Sequence, residues 1–566
     1  MKNFMFTRDT REKGRELQER WKEKYQRLYK DIEFKSATAS GIPVKPFYAP
    51  SDIEHIDFSE IGVPGEYPYT RGIYPLQYQF QPWVNQMSLG YGLPEQTRER
   101  MEMLKEAGMK GYFGAQSYNL PHDLVSKAGI DPDSPEARGL VGRGGVNVST
   151  IDDLERLFHD IPLDKVQIVQ NIGSATMVGL AMFIVYAERR GFSREKLGGN
   201  SMNWLYKAPF VDYAMFPPKS AFKLMAEFIK FCSRNMPRWN TTNICGYFIE
   251  EAGGNAIQEA AFSIATGIAI TEECIRTGLH PDEFLPRFGF QFAQGNDFLE
   301  EIAKIRAIRR IWAKTTRERF GCKNPKSMQV RMHVHTSGCS LMAQQPLINI
   351  VRAAFHTLGA VLAGTNAIHT SAYDEALGLP TEEAATLALR TQQVVLHETN
   401  IPNVSDPLAG SYYLEWLTSK IEEEANKLIE RIDQMGYIKA WETGWLKDEL
   451  AKSAYKWREE IDNTERIVVG VNKYVSDEEQ KVPVFKIDPK IEETAMERVK
   501  KFRAQRDNAK TKAALEGLRD VARRVGEEWP QGGDLMPAII EAAKADATLG
   551  EMQGVLKEVF GWGYAY

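Results

Sequence analysis

From about Gly108 onward, short β-prone stretches alternate with long amphipathic ones, and this alternation limits the chain to a fold built from repeated strand–helix units. Residues 110–116, 166–171, 243–247, 287–292, 329–335 and 367–370 read as strands. Residues 175–190, 221–235, 256–277, 299–320 and 345–362 between them have helical periodicity. Without a Gly-x-Gly-x-x-Gly turn, the pattern fits a (β/α)8 barrel of the α/β class better than a doubly wound sheet. Branched apolar side chains normally fill a barrel axis, yet Gly114, Gly199, Ser201 and Gly289 fall in strand stretches here. Small residues there either leave room along the centre or mark bulges and close helix approach.

A chain of 566 residues exceeds one ordinary compact domain. Residues 1–60 read as an N-terminal helical arm, 61–405 as the barrel and 406–566 as a C-terminal helical extension, where charged helices at 419–434 and 492–517 replace the strand–helix alternation. With 71 basic and 76 acidic side chains, and mixed signs within each cluster, nothing points to nucleic acid. The first 30 residues hold no apolar leader core, and the longest apolar run, 177–187, is too short to cross a bilayer, so no membrane association and a cytoplasmic location are expected. The five cysteines form no Cys-x-x-Cys pair and read as reduced thiols.

From the residues alone, no catalytic constellation stands out. His333 and His335 lie two apart on a strand, so both face one side and offer a metal pair, with Asp374 as a third group. No third ligand has motif spacing, and ordinary polar pairing inside a barrel explains the histidines equally well, so no metal is assigned. Asp374 and Glu375 near His369 read either as an acid–base cluster or as a capped loop.

The sequence carries a long collinear series of motifs: Tyr-Pro-Tyr-Thr-Arg-Gly-Ile-Tyr-Pro at 67–75 with Phe-Gln-Pro-Trp at 80–83, Asp-Ser-Pro-Glu-Ala-Arg-Gly-Leu-Val-Gly at 133–142, and Asn-Met-Pro-Arg-Trp-Asn at 235–240. Further on come Gly246-Tyr247 with Glu-Ala-Gly at 251–253, Pro286-Arg287, Lys-Asn-Pro-Lys-Ser-Met at 323–328, Thr-Ser-Gly at 336–338, His369-Thr370, Asp-Glu-Ala at 374–376 and Asp-Pro-Leu-Ala-Gly-Ser-Tyr-Tyr at 406–413. In this order they resemble the methylmalonyl-CoA mutase family, including the isobutyryl-CoA and 2-hydroxyisobutyryl-CoA mutases. The resemblance implies a TIM barrel hollow enough to thread the pantetheine arm of CoA, with adenosylcobalamin capping one end and a radical 1,2-shift as the reaction. The fused members carry a cobalamin domain with Asp-x-His-x-x-Gly, which this sequence lacks. The expectation is therefore a separate small cobalamin-binding subunit, a heterotetramer of two large and two small chains, and possible service by a G-protein chaperone.

By motif matching, the resemblance assigns Glu375 to the adenosyl ribose hydroxyls, with Ser371 in place of the family's asparagine beside it. It lays the loop Gly142-Arg143-Gly144-Gly145 against the corrin, a stretch that also reads as a tight structural turn. Tyr74 matches an aromatic wall over the CoA entrance, and Arg287 an arginine at the CoA phosphates, which a salt-bridged barrel arginine equally fits. Tyr247 keeps its place, while Phe248 stands where the family has the histidine that bonds the thioester carbonyl. His335 is the candidate replacement for that lost contact, set against an ordinary core histidine.

Ser88 stands in place of a substrate-packing tyrosine, and Val211 in place of the arginine that clamps a free carboxylate. Gly199 and Ser201 replace a threonine and a glutamine, and Gly289 a serine. Together these changes imply a larger, more apolar acyl pocket. A bulky aryl or branched-alkyl acyl-CoA is expected, such as an arylsuccinyl-CoA rearranging to a benzylmalonyl-CoA type product. The alternatives are a short branched acyl-CoA of the isobutyryl, pivalyl or 2-hydroxyisobutyryl type, a non-catalytic relative serving as a structural subunit, and a metal-dependent lyase using His333, His335 and Asp374.

Overall fold

The computed structural model describes residues 5–28, 36–111, 115–211, 214–478 and 480–563. Its strands are β1 (Val84–Asn85), β2 (Ser117–Pro121), β3 (Gln167–Asn171), β4 (Gly198–Ser201), β5 (Trp239–Asn240), β6 (Thr242–Cys245), β7 (Phe288–Gln294), β8 (Met332–Thr336) and β9 (Ala367–His369). All their pairings are parallel, in one run ordered β1-β9-β8-β7-β6 and another ordered β2-β3-β4-β5. Trp239–Asn240 pairs with β4 and Thr242–Cys245 with β7, so β5 and β6 are two ends of one stave. A parallel bridge from Ser88 to Asn119 joins the β1 side to β2. Eight staves thus close, first against last, into the expected TIM barrel.

Where sequence and structure differ, pairing has overruled local propensity. The strand expected at 110–116 forms instead at 117–121, where Ser117 to Pro121 lie in register with Gln167 to Asn171. Gly114 falls outside the described residues. The stretch Gly198–Ser201 has no β-branched or aromatic residue, so its strand is imposed by its neighbours. The single helix expected at 492–517 is two, Lys490–Gln505 and Asn508–Glu527. Arg506 is extended between them, and the Asp507 carboxylate caps the second by accepting from Lys510 N.

The helix layer joins the barrel to the C-terminal helices. Thr176–Arg189 is apolar nearly all round because it is enclosed between the barrel wall and helix Leu535–Lys544. Phe298–Glu318 packs on Tyr412–Met435 and brings three buried arginines, which must be paired to be tolerated there. Arg306 donates to Asp406 and, at 2.7 Å, to Glu415, and Arg71 donates to the same Asp406 oxygen at 3.2 Å. Arg309 donates to the carbonyls of Ala363 and Thr70. Two distant motifs, the one at 67–75 and the one at 406–413, therefore meet at one carboxylate.

Candidate active site

The barrel axis is hollow. Its N-terminal half holds a cavity of about 390 Å³. A Cβ on Gly289 would meet the Thr242 carbonyl oxygen at 3.4 Å and the Asn200 and Asn243 side-chain amides at 3.5 and 3.6 Å, which puts Gly289, Asn200 and Asn243 on the luminal face. Asn200 Oδ1, Asn243 Oδ1, Gln291 Oε1 and His333 Nδ1 are buried without a hydrogen-bond partner among the described residues. Four such atoms in one lumen are a net desolvation penalty unless a ligand bonds them.

Below this cavity the axis opens at Tyr74, Arg287 and Arg331 into a basin of about 800 Å³. Tyr74 is 43% exposed there. Arg287 has no ion-pair partner among the described residues. Burial lowers its pKa, and the neighbouring Arg331 and Arg238 guanidiniums lower it further. Three converging arginines make this mouth a site for anionic groups.

At the C-terminal end the rings form a continuous stack. Trp204 meets Phe248 edge-on at 4.5 Å, Phe248 meets Tyr247 at 6.3 Å, Tyr247 meets His335 at 4.4 Å, and His335 stacks on His369 at 4.1 Å. Tyr247 and Phe248 come from the turn of helix after β6, and His335 and His369 from β8 and β9, which are C-terminal strand ends where barrel active sites form. Ser88 joins them by donating its backbone N–H to His369 Nδ1 at 3.1 Å. Burial pushes His335 down to about 4 and His333 to about 3, so all of these imidazoles are neutral at physiological pH.

The structure brings together Tyr247, Phe248, His335 and Ser88, and places Tyr74 and Arg287 together at the opposite end. Three residues expected in the acyl pocket lie elsewhere. A Cβ on Gly199 would collide with the Trp239 ring, and Ser201 is fully buried, accepting from Trp239 Nε1 at 3.0 Å. Both therefore point outward to the helices, and Asn200 between them faces the lumen. With a side-chain period of two, a one-residue offset reverses which residues face inward. Gly289 is luminal but belongs to the N-terminal cavity, away from the ring stack.

Val211 is half-buried and extended after a short turn, next to positions 212–213, which lie outside the described residues. Sequence reading missed Lys207, four residues earlier. Its ammonium is buried 4.6 Å from the Phe248 ring centre and 4.9 Å from that of Trp204. Burial, with Lys127 adding, drops its pKa to about 7. The only available signal was a lysine between aromatic residues in an apolar stretch.

Over the rim, the loop at 142–145 is tied to buried Asp123, which accepts from Gly142 N at 2.7 Å and Asn147 Nδ2 at 2.9 Å. Gly142 and Gly144 have positive φ, and a Cβ on Gly144 would meet nothing within 4 Å, whereas one on Gly145 would strike the His122 and Pro121 backbone. Arg143 and Gly144 are exposed. Glu375 is half-buried, with no side-chain hydrogen bond among the described residues. Burial and the nearby Glu251 and Asp374 push its pKa up to about 7. Ser371 beside it is 1% exposed and its hydroxyl donates to the Thr336 carbonyl at 3.0 Å.

Among the described residues, His333, His335 and Asp374 do not converge on a common ligand point. The one carboxylate trio that does, Glu250, Glu259 and Glu301, already encloses the Lys304 ammonium.

The chain is thus a hollow parallel barrel with arginines at one mouth of its axis and a stack of rings at the other end. The sequence profile of the methylmalonyl-CoA mutase family matches residues 37–562, and the chain belongs to that family. It is 37% identical over 527 residues to the 2-hydroxyisobutanoyl-CoA mutase large subunit of Aquincola tertiaricarbonis, covering 93% of this chain and 92% of that one. It is 36% identical over 526 residues to the methylmalonyl-CoA mutase of Escherichia coli K12, covering 92% of this chain and 72% of that protein. Against human mitochondrial methylmalonyl-CoA mutase it is 37% identical over 527 residues, covering 93% of this chain and 68% of that protein. The chain is accordingly an isomerase, an intramolecular transferase of the coenzyme B12-dependent acyl-CoA mutase type. No helix among the described residues is long and apolar enough to cross a membrane.

Proposed function

We propose that this chain is the large subunit of a mutase that moves the thioester group of a short branched acyl-CoA, of the isobutyryl, pivalyl or 2-hydroxyisobutyryl type, between adjacent carbons. The observation that carries the reading is the hollow axis whose amide and imidazole atoms lack partners. A pantetheine arm brings two amides and a hydroxyl to bond them. The arginines at the mouth suit the CoA phosphates, and Tyr74 closes over the entrance.

An arylsuccinyl-CoA is less well supported, because Gly199 and Ser201 face the helices and Gly289 lies along the arm. Among the small replacements, only Ser88 borders the ring stack.

The residues present fit adenosylcobalamin. Glu375 offers a carboxylate, free of donors among the described residues, to a vicinal diol, and exposed Gly144 in the loop at 142–145 leaves open space for a flat macrocycle. Adenosylcobalamin, when bound, supplies the radical that starts the migration. The chain's own task is to hold the thioester against the ring stack and to keep water and oxidants away. Phe248 donates no hydrogen bond, so it restrains the acyl group by contact alone.

A small cobalamin-binding subunit with Asp-x-His-x-x-Gly is the proposed partner, in a complex of two large and two small chains, with a G-protein chaperone for cofactor loading. The likeness to a protein that is itself a large subunit supports this. The test reconstitutes the chain with such a subunit and adenosylcobalamin and screens acyl-CoA thioesters. Light-sensitive rearrangement of short branched thioesters is expected. Rearrangement of aryl-substituted thioesters alone would refute the substrate reading, and a complex that binds no CoA thioester would refute the mutase reading.

A further inference from the structure

One ring nitrogen in the chamber has its chemistry fixed by its neighbour. His335 Nδ1 lies 2.9 Å from the Thr336 carbonyl oxygen, which only accepts, so Nδ1 carries the proton. In the neutral ring, Nε2 is therefore a bare lone pair. It has no partner among the described residues, and the half-buried ring cannot turn easily, because the His369 ring stacks on it at 4.1 Å and the Tyr247 ring packs against it at 4.4 Å. His335 is on the luminal face, in register with Ala293 on β7 and His369 on β9. Burial holds the ring neutral across the physiological range. Such an imidazole cannot donate from Nε2 to a thioester carbonyl, as sequence matching had expected of it.

We propose that His335 is a specificity-determining residue that accepts, at Nε2, a hydrogen bond from a hydroxyl on the acyl group, so that the chain prefers a hydroxyacyl-CoA. The neighbouring groups agree with an acceptor role: His369 Nδ1 is already occupied by the Ser88 N–H, and Ser371 spends its hydroxyl on Thr336. An acyl group without a donor leaves Nε2 desolvated and unpaired, which weakens its binding.

This inference rests on the acyl-CoA reading above. The test measures binding to the chain itself, by calorimetry, of 2-hydroxyisobutyryl-CoA and pivalyl-CoA, in which a hydroxyl and a methyl of similar size are exchanged. Wild type should bind the hydroxy thioester about 10-fold more tightly, one net hydrogen bond's worth. His335→Gln, which keeps an acceptor, should retain most of that ratio, and His335→Leu should bring it close to one while still binding both thioesters. Equal binding of the two by wild type overturns the proposal and leaves the acyl-CoA reading intact. A preference that persists in His335→Leu also overturns it and moves the acceptor to another wall atom, such as Asn119 Oδ1. If the preference moves only adenosylcobalamin affinity in the reconstituted complex, Nε2 serves the ribose and the proposal fails. Failure of both thioesters to bind refutes the acyl-CoA reading itself.

Discussion

In the N-terminal half of the axis, amide and imidazole atoms line the lumen with nothing to bond, whereas around His335, His369 and Ser371 most polar atoms are already committed to the protein's own backbone. The first region is stable only in company, because its unpaired atoms and empty volume are compensated by a ligand that brings polar groups of its own. The second is held rigid before any ligand arrives, as a site that must position reacting carbons requires.

Filling the cavity should break this contrast most severely. Gly289→Phe places a ring between Asn200 and Asn243 and should lower kcat/KM for any acyl-CoA by at least ~10²-fold, while circular dichroism stays native. Gly289→Ala meets only ordinary contacts and should behave like wild type.

At the rim, Glu375→Gln removes a charged acceptor and should weaken adenosylcobalamin binding by roughly 10-fold to 100-fold, read by spectroscopic titration of the reconstituted complex. Because the Glu375 pKa is raised to about 7, wild-type cofactor affinity should fall as pH drops through that value, and the variant should lose this dependence. The effect on stability has the opposite sense. A carboxyl whose folded pKa lies above its unfolded one favours the fold at low pH, and that contribution disappears as pH rises from about 4 through about 7. The variant's advantage in chemical denaturation should therefore grow between about pH 4 and about pH 7 and level off above it.

A milder perturbation belongs to the mouth. Arg287→Ala should raise KM about 10-fold with kcat nearly unchanged, and added salt should narrow the difference, since a partly exposed cation assists binding and takes no part in the chemistry.

The smallest expected effect is at Lys207. Its folded pKa of about 7 lies below the usual lysine value, so the folded state binds fewer protons than the unfolded one between pH 7 and about 10, and stability rises with pH through that window. Lys207→Met should flatten this rise and increase the unfolding midpoint near pH 7 by a few degrees, as thermal unfolding across that range would show.

Much of the barrel was readable from hydrophobic period, since β3, β6, β7, β8 and β9 fall within a few residues of the expected strands. β4 was not, because Gly-Gly-Asn-Ser has no intrinsic preference and its inward face is fixed only by pairing with Gln167 to Gln170. That single offset misassigned Gly199 and Ser201 to the acyl pocket and hid Asn200. The tautomer of His335 was equally beyond reach of the sequence, because it depends on one carbonyl's position. Motif order, by contrast, singled out Tyr74, Tyr247 and Arg287, which lie at the two ends of the lumen.

The doubly bonded Asp406 has an effect far from its own position. Arg71, three residues before Tyr74, and Arg306 in the helix layer share its carboxylate, so the doorway proposed for the substrate is hung from the helices that follow the barrel. Loosening that hinge pin, hundreds of residues along the chain from the threshold, would let the door swing without touching the room behind it.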